Sequence, residues 1–479
     1  MSGEIQSFIK EFVNDLAANN AAVFAGAGMS KTSGYVDWAE LLKDIAERLG
    51  LEIDKESDFV SLAQYHVNEN GRALLNKKII EEFVEDNDIT DNHRILARLP
   101  ISTFWTTNYD RLIENALREN HKRADVKFED EQIFHTNPRR DAVVYKMHGD
   151  VSFPARATLT KEDYERYHVS HDAFINALTG DLTTKTFLFI GFSFTDPNLD
   201  YVLSRISIKH REHQRDHYWF VRRPKLGEWD NETETKFEYN KKKLELRVRE
   251  LKRYGIQALL IDEYLEITKI LEEIENRFRK RTVFISGSAE EFGDWNRQEA
   301  QEFVHKLSHA IVTENFRVVN GFGEGIGSAV INGALAAVYS KPDKYSEEQL
   351  IMKPFPQFKT GDEELPELWE EYRQRMIKHA GIAVFLFGNK SDNDGKNILA
   401  DGIKREFEIA RQLGLILIPV PATGFAAKEI YDEISLDFNT FFDGENKIIT
   451  LVKELAAYQH VDAEAIIRKI IQIIKAVNK

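Results

Sequence analysis

Cysteine is absent from all 479 residues, which excludes disulfides and any cysteine-based zinc ribbon. Long apolar runs are missing too: the longest, such as Ile382–Phe387 and Leu415–Val420, fall far short of bilayer-spanning length. The amino terminus, Met1-Ser2-Gly3-Glu4-Ile5, has no basic stretch leading into an apolar one, so no signal peptide is expected and the cytoplasm is the expected location. Positive charge is in deficit. The formal net charge of −15 speaks against nonspecific binding to nucleic acid or to an anionic membrane, and any anionic nucleotide must be met by local groups. What remains is an ordinary soluble composition, 42% apolar and 30% charged, long enough for several domains with cores of their own.

The informative segments are strand ends. An apolar run, Ala21–Ala25, leads into Gly26-Ala27-Gly28-Met29-Ser30 and then Ser33-Gly34-Tyr35-Val36-Asp37-Trp38. Glycines directly after a strand allow a sharp turn and close approach to a pyrophosphate, while a following helix start offers N–H groups to its charge. The third glycine of the dehydrogenase fingerprint is missing, so a plain tight turn remains open as the alternative. Thr106-Thr107-Asn108-Tyr109-Asp110 follows the β-rich run Ile101–Trp105, Val143–Met147 ends in His148-Gly149-Asp150, and Thr186–Ile190 ends in Gly191-Phe192-Ser193. Open α/β sheets bind ligands at the carboxyl ends of their strands, where these Gly, Asn, His and Ser residues converge. Taken singly, His148 could be a structural hydrogen-bonder, and Asp110 and Asp196 could simply cap helices.

The order GAGxS, SGxxDW, TTNYD, HGD and GFS resembles the sirtuin-type NAD-binding domain over about the first 220 residues. The resemblance implies that Gly26, Ala27, Gly28 and Ser30 line the diphosphate and that Asp37 lies in the loop over the nicotinamide side. It further implies that Asn108 and His148 face the nicotinamide ribose as catalytic residues, and that Ser193 adds a phosphate or ribose contact. Protein-deacylating sirtuins usually carry a zinc module with paired cysteines. A chain without cysteine that keeps the NAD pocket more plausibly hydrolyses the dinucleotide itself, with no metal.

A polar, charge-dense stretch from Asp230 to Arg253 carries a modest apolar stripe, Leu244, Leu246, Val248 and Leu251, that reads as a helix. Ile256–Ile261 reads as one more strand of the first domain, expected to span residues 1–280. The second, residues 281–479, opens with Thr282–Ile285 running into Ser286-Gly287-Ser288. Arg317–Asn320 then opens into Gly321-Phe322-Gly323-Glu324-Gly325-Ile326-Gly327, four glycines in seven residues and a second phosphate-cradle candidate, with a flexible glycine turn as the alternative. Helical Glu371–Ile377, the strand Ile382–Phe387 with Gly388-Asn389-Lys390, the helix from Gly402 and the strand Leu415–Val420 complete a second strand–helix alternation. The C-terminal run Ala465–Val477 repeats apolar pairs at helical spacing, which suits a helix docked on its own domain.

The opening SGS, the loop GFGEGIGS, the strand-end GNK and the helix bearing REFEIA resemble the SLOG group of Rossmann-like nucleotide-binding domains. The PGGxGTxxE signature of the related LOG enzymes is absent, which argues for sensing over a second hydrolase. The expected fold class is therefore α/β: a sirtuin-like Rossmann-type parallel-sheet domain followed by a Rossmann-like SLOG domain. That order is similar to the effector family of Thoeris antiphage defence. The resemblance implies that a TIR-domain partner makes a cyclic ADP-ribose isomer, that the SLOG domain binds it, and that the sirtuin-like domain then degrades NAD. By it, Arg373 and Lys390 meet the signal's phosphates, Glu406 accepts from its ribose hydroxyls, and Gly287, Ser288 and Gly323 line the pocket. Arg375, Lys404 and Arg405 lie nearby but could be solvated helix charges. A homo-oligomer, tetramer or larger, is also implied. The rival readings are an NAD-dependent protein deacylase and a non-catalytic nucleotide sensor.

Overall fold

Strands buried on both faces of a parallel sheet must be continuously apolar, and AAVFA of β1 (Ala21–Ala25) is buried at all five positions in this computed structural model. The structure describes residues 1–209, 215–228, 231–359, 364–392 and 394–478. The chain divides into two units, Met1–Glu275 and Asn276–Lys479.

In the first unit β1 is joined by β2 (Thr103–Thr106), β3 (Ala124–Lys127), β4 (Ala142–Lys146), β5 (Thr186–Ile190), β6 (His217–Arg222) and β7 (Ile256–Ile261). All pair in parallel in the order β3-β4-β2-β1-β5-β6-β7. The chain winds outward from β1 to one side as far as β3 and β4, then returns to β5 on the other, so the topological switch lies between β1 and β5. Register then decides which loops meet: Ala25 is level with Thr106 and with Ile190, and Thr106 with Lys146. Segments leaving these four strand ends consequently share one edge of the sheet.

Between β1 and β2 the chain forms helices Trp38–Arg48, Phe59–Asn70, Ala73–Phe83 and Asp91–Arg98. The first three pack through Leu41, Leu42, Ile45, Leu62, Leu75 and Ile79, together with Tyr109, Val151 and Leu159 from the β2 and β4 exits. The charge-dense stretch is helical over Glu234–Lys252, with Leu251 its one buried residue; Asp230 lies outside the described residues.

In the second unit β8 (Thr282–Ser288), β9 (Arg317–Asn320), β10 (Leu350–Met352), β11 (Ile382–Phe387) and, after a small antiparallel pair β12 (Asn389–Ser391) and β13 (Asn397–Leu399), β14 (Ile416–Pro419) follow in sequence. The five-stranded sheet is parallel, in the order β10-β9-β8-β11-β14, with its switch between β8 and β11. Ser288 is level with Phe387, so the SGS and GNK segments leave side by side. Helix Ala463–Val477 buries Ile466, Ile467, Ile470, Ile471, Ile473 and Ile474 in this unit's own core. Among the described residues no helix is long and apolar enough to cross a membrane.

Candidate functional site

The first glycine loop packs against a second. Gly26 N–H donates to the Ile190 carbonyl and Gly28 N–H to that of Gly191, each at 2.9 Å. Gly191 has φ +63°, and a β-carbon there would overlap the Met29 amide nitrogen, so the two loops can close only as glycines. The helix that follows is short, Ala27–Ser30. The glycine loop thus spends these two N–H groups on holding the switch point together, and what it leaves for a ligand is space rather than a long helix terminus.

Asn108 sits two residues beyond β2 and is 9% exposed. Its Nδ2 donates to the Gly26 carbonyl at 3.1 Å and to Ser30 Oγ at 2.9 Å, and its own N–H donates to Thr106 Oγ1 at 3.0 Å. With both amide hydrogens engaged, the carboxamide cannot flip, and its Oδ1 is buried without a hydrogen-bond partner. Such an orphaned acceptor carries a cost in an isolated protein, so it marks a place prepared for something else.

His148, two residues beyond β4, is 2% exposed. Its Nε2 lies 2.9 Å from Asp196 Oδ2 and 3.3 Å from Tyr164 Oη, while Nδ1 is buried and unpartnered. Tyr164 Oη also donates to Asp196 Oδ2 at 3.2 Å. The Trp38 and His148 rings meet edge to face at 6.4 Å. Burial pushes the Tyr164 phenol well above its ordinary range, helped by the Asp196 charge. Burial also pushes the Asp196 carboxyl up, but pairing with His148 and the donations from His148, Leu199 N–H and Tyr164 prevail and hold it below its ordinary value.

Beneath these groups Lys146, the last residue of β4, is wholly buried. Its ammonium donates to the carbonyls of Tyr109 and Asp110 at 3.1 and 2.5 Å and to Glu114 Oε1 and Asp150 Oδ2 at 3.1 and 2.6 Å. One cation therefore ties the segment after Asn108 to the segment after His148. Burial alone would drive its pKa down, but the fields of Glu114, Asp150 and Asp110 outweigh it and the group is held protonated.

The remaining expected residues stand apart. Asp37 caps helix Trp38–Arg48 in a capping box with Glu40 and pairs with Lys31 at 2.7 Å. Ser193 is exposed, its hydroxyl 2.8 Å from that of Thr195. Ala27 is half-buried at the start of the short helix, and Ser30 is buried beneath Asn108. Asp196 does cap, accepting from Leu199 N–H, whereas Asp110 lies one position before Arg111, the N-cap of its helix, and accepts from Leu112 N–H. Asp196 serves His148 with its other oxygen.

In the second unit, a β-carbon on Gly323 would overlap the Gly287 carbonyl, so the β8 and β9 exits also meet through glycine. Ser288 Oγ donates to the Asn389 carbonyl at 3.1 Å. Glu406 Oε2 accepts from Ser286 Oγ at 2.6 Å, and its Oε1 lies 3.9 Å from Arg373 Nε, which is itself buried without a hydrogen-bond partner. Arg373 also stacks over Phe355 at 5.1 Å. Lys390 turns instead to Asp401 at 2.9 Å. Arg405 is clasped by Glu370, Arg375 by Glu371 and Lys404 by Glu429, so these three act as links between or along helices.

Glu406 carries a measurable consequence. Burial raises its carboxyl from 4.5 to about 7, the Ser286 hydrogen bond and the Arg373 charge offsetting only part of the effect. In the unfolded chain the group ionises near its ordinary value. Between the two values the folded state alone holds the proton, so this group's contribution is fully present below pH 4.5 and is lost as pH rises through about 7. Glu406→Gln is therefore expected to remove this pH dependence and to stabilise the second unit at pH 8 by on the order of 2–3 kcal/mol relative to the parent. Denaturant midpoints at pH 5 and pH 8 check it: equal shifts at both would contradict the assignment.

The sequence pattern points to Asn108, His148, Arg373 and Glu406 but carries no mark of Lys146, Tyr164 or Asp196 as a partner of His148. Lys146 lies two positions before His148, yet nothing local separates it from an ordinary strand-end lysine. Tyr164 left no signal.

Two parallel sheets, each closing a glycine loop at its switch point over buried polar groups, define a protein of two Rossmann-like α/β domains. Family models agree: residues 102–259 match a SIR2-like domain and residues 266–477 the Sir2- and TIR-associating SLOG family. Among curated proteins, the chain is 44% identical over 480 residues to NAD(+) hydrolase ThsA of Bacillus cereus (strain MSX-D12), covering 100% of this chain and 99% of that protein. Proteins of the same name from Acinetobacter baumannii (strain 532279) and Cytobacillus dafuensis are 46% and 43% identical. They cover 92% and 100% of this chain, and 92% and 98% of their own lengths are matched. The chain belongs to the ThsA family.

Proposed function

We propose that the first unit hydrolyses NAD to ADP-ribose and nicotinamide, under control of a cyclic ADP-ribose-type nucleotide bound by the second. The observation that carries the reading is the pair of buried, unpartnered acceptors, Asn108 Oδ1 and His148 Nδ1, at neighbouring strand ends beside the glycine loop. That the relatives are named NAD(+) hydrolases supports NAD as the substrate of a hydrolysis.

Nicotinamide in NAD is already a cationic leaving group. Water adds to the ribose anomeric carbon, the C–N bond breaks with its electron pair passing to the nicotinamide nitrogen, and one proton of the water is lost. The immobilised dipole of Asn108 turns its negative end toward the oxocarbenium charge, a preorganised electrostatic contribution. His148 accepts the proton as general base. Gly26, Ala27, Gly28, Ser30 and Ser193 supply the diphosphate and ribose wall, and Asp37 belongs to the loop that covers it. In the second unit Arg373 and Lys390 meet phosphate, Glu406 the ribose hydroxyls, and Gly287, Ser288 and Gly323 admit the nucleotide by close backbone approach. Ser286 and Phe355 join that pocket.

Control requires the signal to bind the active arrangement more tightly than the resting one. The biological setting that fits is antiphage defence of the Thoeris type in the cytoplasm. There a TIR-domain partner makes the signal, a homo-oligomer of four or more copies responds, and NAD loss aborts infection. Neither metal, nucleic acid nor membrane enters this scheme. The test is to incubate the full chain with NAD, with and without cyclic ADP-ribose isomers, and follow nicotinamide and ADP-ribose. Arg373→Ala is expected to abolish stimulation while leaving unstimulated cleavage intact. A requirement for an acyl-peptide would instead favour a deacylase.

A further inference from the structure

His148 shows one edge to a carboxylate and the other to nothing. Nε2 lies 2.9 Å from Asp196 Oδ2, and Nδ1 is buried without a partner. A carboxylate accepts only, so in neutral His148 the proton sits on Nε2 and the lone pair on Nδ1. Asp196 is in turn fixed from two sides: its Oδ1 accepts the Leu199 N–H at 2.9 Å, and its Oδ2 accepts from Tyr164 Oη as well as from His148. We propose that Asp196 is a positioning residue for NAD cleavage, holding His148 in the Nε2–H tautomer so that Nδ1 is the edge that takes the proton from the attacking water. The inference rests on the NAD-hydrolase reading and adds the residue that makes His148 a base.

The helix cap makes the idea sharply testable. Asparagine caps a helix as well as aspartate does, so Asp196→Asn retains the Leu199 contact through its carbonyl oxygen. That contact commits the oxygen and leaves the amide nitrogen facing His148. A donor at Nε2 forces the proton to Nδ1, and the base is lost without loss of the fold. Replacing the orienting carboxylate of a serine-protease triad by its amide costs about 10⁴ in rate through the same tautomer change.

Asp196 and Tyr164 are the groups hydrogen-bonded to the His148 ring. Tyr164 stays protonated across any working range and so remains a donor to Asp196. NAD hydrolysis by the full chain, with the cyclic ADP-ribose isomer that stimulates the parent, is measured for the parent, Asp196→Asn and His148→Ala. Asp196→Asn is expected to lower kcat by on the order of 10²–10⁴-fold, with KM for NAD and the thermal midpoint near those of the parent. Near-parental kcat, or a loss of kcat matched by a raised KM and a lowered thermal midpoint, overturns the proposal. If Asp196→Asn does not fold, Asp196→Ser keeps a cap acceptor without a carboxylate and is read in the same way. A parent that leaves NAD whole defeats the underlying reading, whereas an active parent with an indifferent Asp196→Asn defeats this one alone.

Discussion

Asn108→Ala is expected to lower NAD turnover by on the order of 10²–10³-fold, the loss seen when one preorganised polar group is removed from a charge-stabilising site. The size follows from how the side chain is held. Two donors spent on Gly26 and Ser30 leave the amide no freedom, so Oδ1 needs no reorganisation when positive charge develops on the ribose. Alanine removes the oxygen and also leaves the Gly26 carbonyl and Ser30 hydroxyl without their donor. The fold should lose about 1–3 kcal/mol for those two bonds. Ser30→Ala separates the two effects: it removes one anchor, keeps Oδ1, and is expected to cost about 10-fold or less. Nicotinamide release under saturating NAD measures both. Equal losses in the two variants would show that Asn108 supports the loop rather than the reaction.

Lys146→Met is expected to give the largest loss of stability, about 3–5 kcal/mol, because breaking a buried ion pair strands its partners. The stranded groups are specific. Asp150, held below its ordinary range by this cation once its own burial is offset, would face a dry interior, and the carbonyls of Tyr109 and Asp110 would lose their donor. Glu114 is pushed up by burial even now and can shed its charge by protonation, so Asp150 carries most of the penalty. The denaturant midpoint of the first unit checks the magnitude. Adding Asp150→Asn to Lys146→Met should recover part of the loss, which an effect of side-chain shape alone would not do.

Much of the architecture was legible because parallel strands buried on both faces have to be apolar and have to stop at turn residues. Ala21–Ala25 and Ile382–Phe387 follow that rule throughout, residues 187–190 and 283–285 follow it in the body of their strands, and β8 carries Ser286-Gly287-Ser288 on within the sheet. β6 escapes it, as His217-Tyr218-Trp219-Phe220 mixes polar tips with aromatic bodies, and β10, β12 and β13 are too short to show a period. The helical layer between β1 and β2 also went unread: its residues bury against Tyr109, Val151 and Leu159, which lie far along the chain. Asp196 illustrates the limit at the site. An Asp-Pro-Asn start reads as a helix cap, and it is one, yet a single carboxylate has two oxygens and the second serves a histidine 48 positions away.

Local chemistry, which one-dimensional order already contains, decided where strands end, which loops must be glycine, that no thiol chemistry exists, and which two residues, Asn108 and His148, stand at the exits. Three-dimensional pairing decided the rest. Register between β1, β2 and β4 set which exits meet, burial gave Lys146 its clasp and raised Glu406 to about 7, and the fold oriented Asn108 and His148 by occupying one edge of each. The division has a plain cause: a residue's propensity to turn or to be buried is its own, but its charge state and the direction in which it can donate or accept belong to whatever the fold places beside it.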